Sequence, residues 1–350
     1  MLGWQIEQTD EPNKAKQPVN NSPLTEAEIV TETQNFIDGL VKNDDFSGVV
    51  LIAKNDKPVF AKGFGLANKE TNAPNKLDTK FNLGSINKVF TQIAIGQLAK
   101  QGKISYDDKL GKFLPDYPNK EAAEKVTVRH LLQMTSGVGD IFGDKFLATP
   151  KANLRNIKDF IPLFSDKPLA FAPGTKNQYS NGGYILLGVI IEKVSGKSYY
   201  DYVRENIFQP VGMSNTEYFE SDKKTANMAE GYTTFEVKAD DKNKRRNNLA
   251  TRPARGSSAG GGYSTAEDLL RFSLALQSGK IQNSEAAPMQ QNNNGKFMGL
   301  GIAGGSLGIN AALEIMPETG YTVIVLSNYD PPSAENTARQ IRSFLNRVKK

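Results

Sequence analysis

Ser85 and Lys88 stand three residues apart at the head of an apolar stretch, Phe81-Asn82-Leu83-Gly84-Ser85-Ile86-Asn87-Lys88-Val89-Phe90. Residues three apart share one face of a helix, so the hydroxyl and the amine can touch. A lysine buried in such a helix loses hydration, which favours the neutral amine. A neutral amine beside a serine hydroxyl can act as its base, making the pair a candidate nucleophile and activator. The helix N-terminus would also favour negative charge developing there. The pattern is short, however, and a capping serine followed by a solvated lysine is written the same way.

Tyr179-Ser180-Asn181 is the second stretch with chemistry. Tyrosine titrates at about 10 in model peptides. A neighbouring lysine ammonium would favour its phenolate, so Tyr179 could take the proton of Ser85 and later return it to a leaving group. Asn181 carries both a donor and an acceptor, suited to a substrate amide or carbonyl. A buried tyrosine followed by a turn asparagine is the bland reading of the same residues.

Composition narrows the choice. The 350 residues contain no cysteine and one histidine, His130. Thiol nucleophiles, disulfides and zinc–thiolate sites are excluded, and so is a multi-histidine metal site. Any serine hydrolase chemistry would therefore use lysine or tyrosine as base, because a Ser-His-Asp triad has only His130 to call on. His130 falls in an apolar helical pattern, Val126 to Met134, and reads as a packing or hydrogen-bonding residue. The net charge is +5. Its densest cluster, Lys242, Lys244, Arg245 and Arg246, lies among asparagines without aromatic interleaving and reads as a solvated loop, with no nucleic-acid module. No apolar run is long enough to span a bilayer, and no metal or cofactor is expected.

These residues need elements to hold them. An apolar set, Ile86, Val89, Phe90, Ile93, Ile95 and Leu98, predicts a buried helix after Ser85, stopping near Gly102. Gly182 to Ile191 predicts another after Asn181. Residues 23–41 form a helix, and Gly48 to Lys54 a buried strand that returns from Asn55-Asp56 through Pro58 to Ala61, with Gly63 and Gly65 interrupting or ending it. Asn310 to Met316 and Tyr321 to Ser327 read as a hairpin, followed by a helix from Ala334 to Val348. Ser264 to Gly279 forms a further helix. The glycine-rich Ser257 to Tyr263 lacks the lysine of a phosphate loop and is not a nucleotide site. With strands at both ends and helices between, the expectation is an α+β fold: an antiparallel sheet flanked by terminal helices, with an all-helical insert. The division is a flexible tail 1–22, a sheet domain 23–80 and 215–350, and a helical domain 81–214, with the site between the two.

Five segments resemble the serine beta-lactamase-related family, which includes class C beta-lactamases, penicillin-binding proteins and beta-lactamase-like esterases. They are Phe81 to Lys88, Val128 to Gly137, Tyr179 to Tyr184, Gly260 to Leu269 and Thr322 to Asn328, in the family's order. The resemblance runs from about Thr25 to Phe344. It implies a beta-lactamase/transpeptidase-like fold, Ser85 as the acyl-forming nucleophile, Lys88 as its proton partner, Tyr179 as general base and acid, and Asn181 as a substrate contact. Tyr-Ser-Asn is nearer the class C and esterase branch than the Ser-Asp-Asn of class A enzymes.

One departure stands out. The family carries Lys-Thr-Gly or His-x-Gly on the strand edging the site, and counting back from Gly308-Ile309-Asn310 places Ile302-Ala303-Gly304 there. Glu318-Thr319-Gly320 imitates the motif but sits in the hairpin turn. The stretch Asn292 to Gly305 reads as shortened. Backbone N–H groups near Gly304 or Gly305 could still join that of Ser85 as an oxyanion hole, but the side chain that would hold a substrate carboxylate is missing. The expected activity is therefore a serine hydrolase forming an acyl-enzyme on a small ester or amide, esterase-like or related to D-amino-acid peptides and beta-lactams. The alternative is a catalytically weak, penicillin-binding-like protein that binds peptidoglycan-type fragments. Residues 1–20 lack the basic start and apolar core of a signal peptide. Cytoplasm and cell envelope both stay open, the resemblance leaning to the envelope, and oligomeric state is not legible.

Overall fold

A computed structural model describes residues 22–237, 244–287, 290–291 and 297–348. The tail expected over 1–22 lies outside these but for Ser22, as do Lys242, Asn243 and the head of the stretch from Asn292.

The chain opens with α1 (Glu26–Lys42), started by a reciprocal cap between Thr25 and Glu28. The strands β1 (Gly48–Lys54) and β2 (Lys57–Phe64) follow. Gly63 lies inside β2 rather than interrupting it. A Cβ there would fall 2.2 Å from the Asn75 carbonyl oxygen, so glycine permits that approach. Gly65, at φ +66°, ends the strand.

Helix α2 (Lys88–Lys100) and α3 (Asn181–Ser195) are buried on almost every side, as their all-round apolar sequences require. The chain returns to the sheet through α4 (Ala266–Gln277) and the strands β3 (Gln290–Gln291), β4 (Phe297–Ser306), β5 (Ile309–Met316) and β6 (Tyr321–Ser327). Helix α5 (Ser333–Leu345) closes the fold.

The six strands are antiparallel in the order β2-β1-β6-β5-β4-β3. β1 pairs with β6, Gly48 opposite Ser327, so the two ends of the chain meet at the centre of the sheet. Alternation along β1 sorts the core. Val50 and Ile52 face α1 and α5, whereas Val49, Leu51 and Ala53 face the larger core that includes α2, α3 and α4. Both faces are covered, which explains why β1 and β6 read as continuous apolar runs. Among the described residues, no helix is long and apolar enough to cross a membrane.

Within the basic cluster, Lys244 is exposed as expected, whereas Arg245 departs from the solvated reading. Arg245 lies 3.9 Å above the Tyr329 ring and pairs with Asp44 and Asp330. Arg246 pairs with Glu236. Stacking and ion pairing withdraw the Arg245 guanidinium from water.

Candidate active site

Ser85 lies in a 3-10 turn, Gly84–Asn87, that runs straight into α2. Gly84 takes φ +50°, a conformation that glycine tolerates. The turn is pressed between two backbones. A Cβ on Gly304 of β4 would fall 2.5 Å from the Ser85 nitrogen and 2.2 Å from the Leu83 oxygen. From the other side comes the glycine-rich segment, where a Cβ on Gly260 would fall 3.1 Å from the Gly84 oxygen and one on Gly262 2.4 Å from Asn87 Oδ1. These glycines permit close approach to the Ser85 turn.

The structure brings the expected side chains together. Ser85 Oγ is 2.6 Å from Tyr179 Oη and 3.1 Å from Lys88 Nζ. Lys88 is 4% exposed, and its amine also donates to Asn181 Oδ1 at 2.7 Å and to the Ala259 carbonyl at 2.6 Å. The rings of Tyr179 and Tyr184 flank it, 4.7 and 5.5 Å from nitrogen to centroid. Burial lowers the Lys88 pKa to about 7, and the nearby Asp140 carboxylate opposes the fall.

Three oxygens around one nitrogen decide what a neutral Lys88 would do. Asn181 Oδ1 and the Ala259 carbonyl can only accept, so they take the two N–H bonds of an uncharged amine. The lone pair is then left facing Ser85 Oγ, the one neighbour with a proton to give.

Tyr179 departs from the expected phenolate. Its pKa is pushed up to about 12, chiefly by burial, with Asp140 adding to the rise and the Ser85 hydrogen bond opposing it. Tyr179 is 49% exposed as a residue, with its hydroxyl held at 2.6 Å from Ser85 Oγ. Burial outweighs any support from Lys88, whose own pKa has fallen to about 7, so the hydroxyl stays protonated.

Asn181 is the first residue of α3, capped by Ser180, whose Oγ accepts from Gly183 N at 3.0 Å. Sequence reasoning missed Asp140. Its Oδ2 accepts from the Asn181 backbone N–H at 2.8 Å and from Nδ2 at 2.9 Å. The one available signal was an acid in the glycine-punctuated Gly137-Val138-Gly139-Asp140. The Ala259 carbonyl was missed as well, since a backbone acceptor leaves no trace in residue type.

Gly304 pairs with Ala311, Gly305 with Asn310 and Ile302 with Leu313 across β4 and β5. Ile302 therefore shares the site-facing side of β4 with Gly304, two residues along, and packs against the larger core. Gly305 N would lie 2.7 Å from a Cβ on Gly84. Glu318-Thr319-Gly320 turns the chain between β5 and β6, at the far end of β5 from Asn310. His130 Nδ1 accepts from the Thr127 N–H at 3.3 Å in a reciprocal cap. Among the described residues, no cluster of acids and His130 could hold a metal.

A sheet of this order, covered by helices on both faces, with a Ser-x-x-Lys turn packed against β4, is the beta-lactamase/transpeptidase architecture. The chain belongs to the Beta-lactamase family, which residues 33–346 match. Penicillin-binding protein 4* of Bacillus subtilis (strain 168) is 35% identical over 53% of this chain. That match spans 41% of the relative's length. A penicillin binding protein from Bacillus halodurans superposes with a TM-score of 0.76 at 32% identity, covering 87% of this chain and 99% of that one. A D-amino acid amidase from Ochrobactrum anthropi shares the fold, with a TM-score of 0.74 at 21% identity over 91% of this chain and 98% of its own.

Proposed function

We propose that this protein is a serine hydrolase that forms an acyl-enzyme on Ser85 with a small ester or amide, in a cleft between the helical residues 81–214 and the sheet. One observation carries the reading: Ser85 Oγ is in hydrogen-bond contact with both Lys88 Nζ and Tyr179 Oη. Lys88 is the base, because its pKa of about 7 leaves a large neutral fraction at neutral pH. Tyr179 is the acid, because its proton is retained.

In acylation, the Ser85 proton passes to the Lys88 lone pair as Oγ bonds to the substrate carbonyl carbon. The carbonyl oxygen takes up the electron pair and is received by the N–H groups of Ser85 and Gly305. As the carbonyl re-forms, the bond to the leaving group breaks and Tyr179 gives the departing atom its proton. The Lys88 ammonium, beside the ring, replaces it. Water then enters, gives a proton to Lys88 and bonds to the acyl carbon. As the carbonyl re-forms, the bond to Ser85 Oγ breaks, Lys88 returns the proton to Oγ and the acid is released.

Ile302 favours a neutral substrate. A carboxylate brought to this wall would lose hydration, and the Ile302 side chain offers it no cation in return. Esters and amides without an obligatory carboxylate fit better than beta-lactams or D-Ala-D-Ala peptides. The same residue is what favours a second reading, a pocket that binds peptidoglycan-type fragments without turnover.

Incubation with a fluorophosphonate and with a p-nitrophenyl ester, then mapping of the adduct, tests the proposal. An adduct on Ser85, abolished by Ser85→Ala, is expected. Ester turnover undiminished in Ser85→Ala sinks it, and thermal stabilisation by a muropeptide without turnover would favour the binding protein.

A further inference from the structure

Asn181 presents its amide to Lys88 one way round, and the reason lies outside the catalytic trio. Asp140 Oδ2 accepts from the Asn181 backbone N–H and from Nδ2. Its Oδ1 accepts from Nδ2 at 3.2 Å and from the Phe142 N–H at 3.0 Å. Turning the amide over would set Oδ1 against the carboxylate, exchanging the Nδ2 bonds for a repulsive contact, and would bring Nδ2 to the Lys88 nitrogen. The segment carrying Asp140 is itself fixed to α3. A Cβ on Gly182 would fall 2.2 Å from the Gly139 oxygen, and Ser180 Oγ donates to that oxygen at 3.1 Å.

We propose that Asp140 is a positioning residue: by holding the Asn181 amide in one orientation, it aims the lone pair of Lys88 at Ser85. With Asn181 Oδ1 and the Ala259 carbonyl both accepting, the free direction at the nitrogen is that of the serine. If Asn181 turned over, its Nδ2 would compete with Ser85 for the lone pair. The inference rests on the serine hydrolase reading and adds to it the group that orients the base.

Asp140 also sets the charge around Lys88. The titratable groups facing this amine are Asp140 from the Gly137–Asp140 segment, Tyr179 from the loop before α3, and Tyr184 from α3. Lys167 lies further off, its Cδ 3.5 Å from a Cβ on Gly139. Both phenols hold their protons, so Asp140 is the anion in this set, and its removal makes the amine easier to deprotonate.

The test compares Asp140→Asn with wild type by the pH dependence of Ser85 labelling by a fluorophosphonate, alongside Lys88 titration by NMR. The amide that Asp140→Asn introduces would keep one acceptor but turn a donor toward the donors of Asn181. The labelling rate on the alkaline plateau is expected to fall roughly 10²-fold, and the limb on which rate is lost with falling pH should move to lower pH. A purely structural residue would lower the rate without moving the limb. A limb and plateau equal to wild type overturn the proposal. Should Asp140→Asn fail to fold, Asp140→Glu carries the test. It keeps the charge but displaces the carboxylate, so the plateau should fall and the limb stay; an undiminished plateau overturns the proposal. NMR separates the two readings. If wild type forms no adduct but Lys88 titrates lower in Asp140→Asn, the hydrolase reading fails and the hold of Asp140 on the amine stands.

Discussion

The Ala259 carbonyl oxygen lies 2.6 Å from Lys88 Nζ, closer than Ser85 Oγ at 3.1 Å. This contact fixes the amine while burial strips it of water. With the neutral form as the proposed base, acylation should rise with pH through about 7 and fall away tenfold per unit below it. Lys88→Arg keeps a cation that cannot be deprotonated. Labelling of Ser85 in that variant should drop by at least about 10²-fold with no recovery at high pH. A Lys88→Arg rate profile like that of wild type would remove Lys88 from the base role.

Tyr179→Phe removes a proton donor and leaves the base in place. The kcat/KM for a small amide, whose leaving amine needs a proton, should fall by roughly 10²–10⁴-fold, as for loss of a general acid. The acid limb should stay where Lys88 puts it, because the phenol titrates at about 12. A limb that disappears in Tyr179→Phe would make the tyrosine the base instead.

Much of the site was legible because its parts are local. Ser85 and Lys88 declare themselves by spacing within one turn, and β1 by an unbroken apolar run that only a doubly covered strand needs. Gly304 was found by counting along the strand. Asp140 was not found, since its partner lies 41 residues on and nothing local marks the pairing. The protonation of Tyr179 was read with the wrong sign. Sequence places a lysine beside it, but burial decides which of the two groups carries charge. Arg245 was missed for a related reason: Tyr329 and Asp44, which withdraw it from solvent, come from distant parts of the chain.

Gly304 is a place where one added methyl group should separate fold from function. A Cβ there meets backbone, the Leu83 oxygen at 2.2 Å and the Ser85 nitrogen at 2.5 Å, and neither can swing aside. Gly304→Ala should therefore push β4 away from the nucleophile turn at a cost of about 1–3 kcal/mol in stability. Gly305 moves with the strand, so an oxyanion donor is misplaced and labelling should fall about 10²–10³-fold. Thermal melting and fluorophosphonate labelling of the same preparation check both. A folded variant with wild-type labelling would show that the strand contributes no donor.

Ile302 gives the sharpest test of substrate class. It shares the site-facing side of β4 with Gly304, and its side chain packs against the larger core. The lysine introduced by Ile302→Lys would extend its amine past that core toward the cleft, where its aliphatic stem can replace the isoleucine contacts. A hydrogen bond from a cation to a carboxylate contributes about 1.5–3 kcal/mol. Acylation by a penicillin or a depsipeptide ending in a carboxylate should therefore rise by about tenfold or more relative to a neutral ester. The measurement is the ratio of the two second-order rates in wild type and variant, which cancels any general loss of activity. An unchanged ratio in a folded Ile302→Lys variant would mean that substrate charge is selected elsewhere, and the case for a neutral ester or amide would lose its footing.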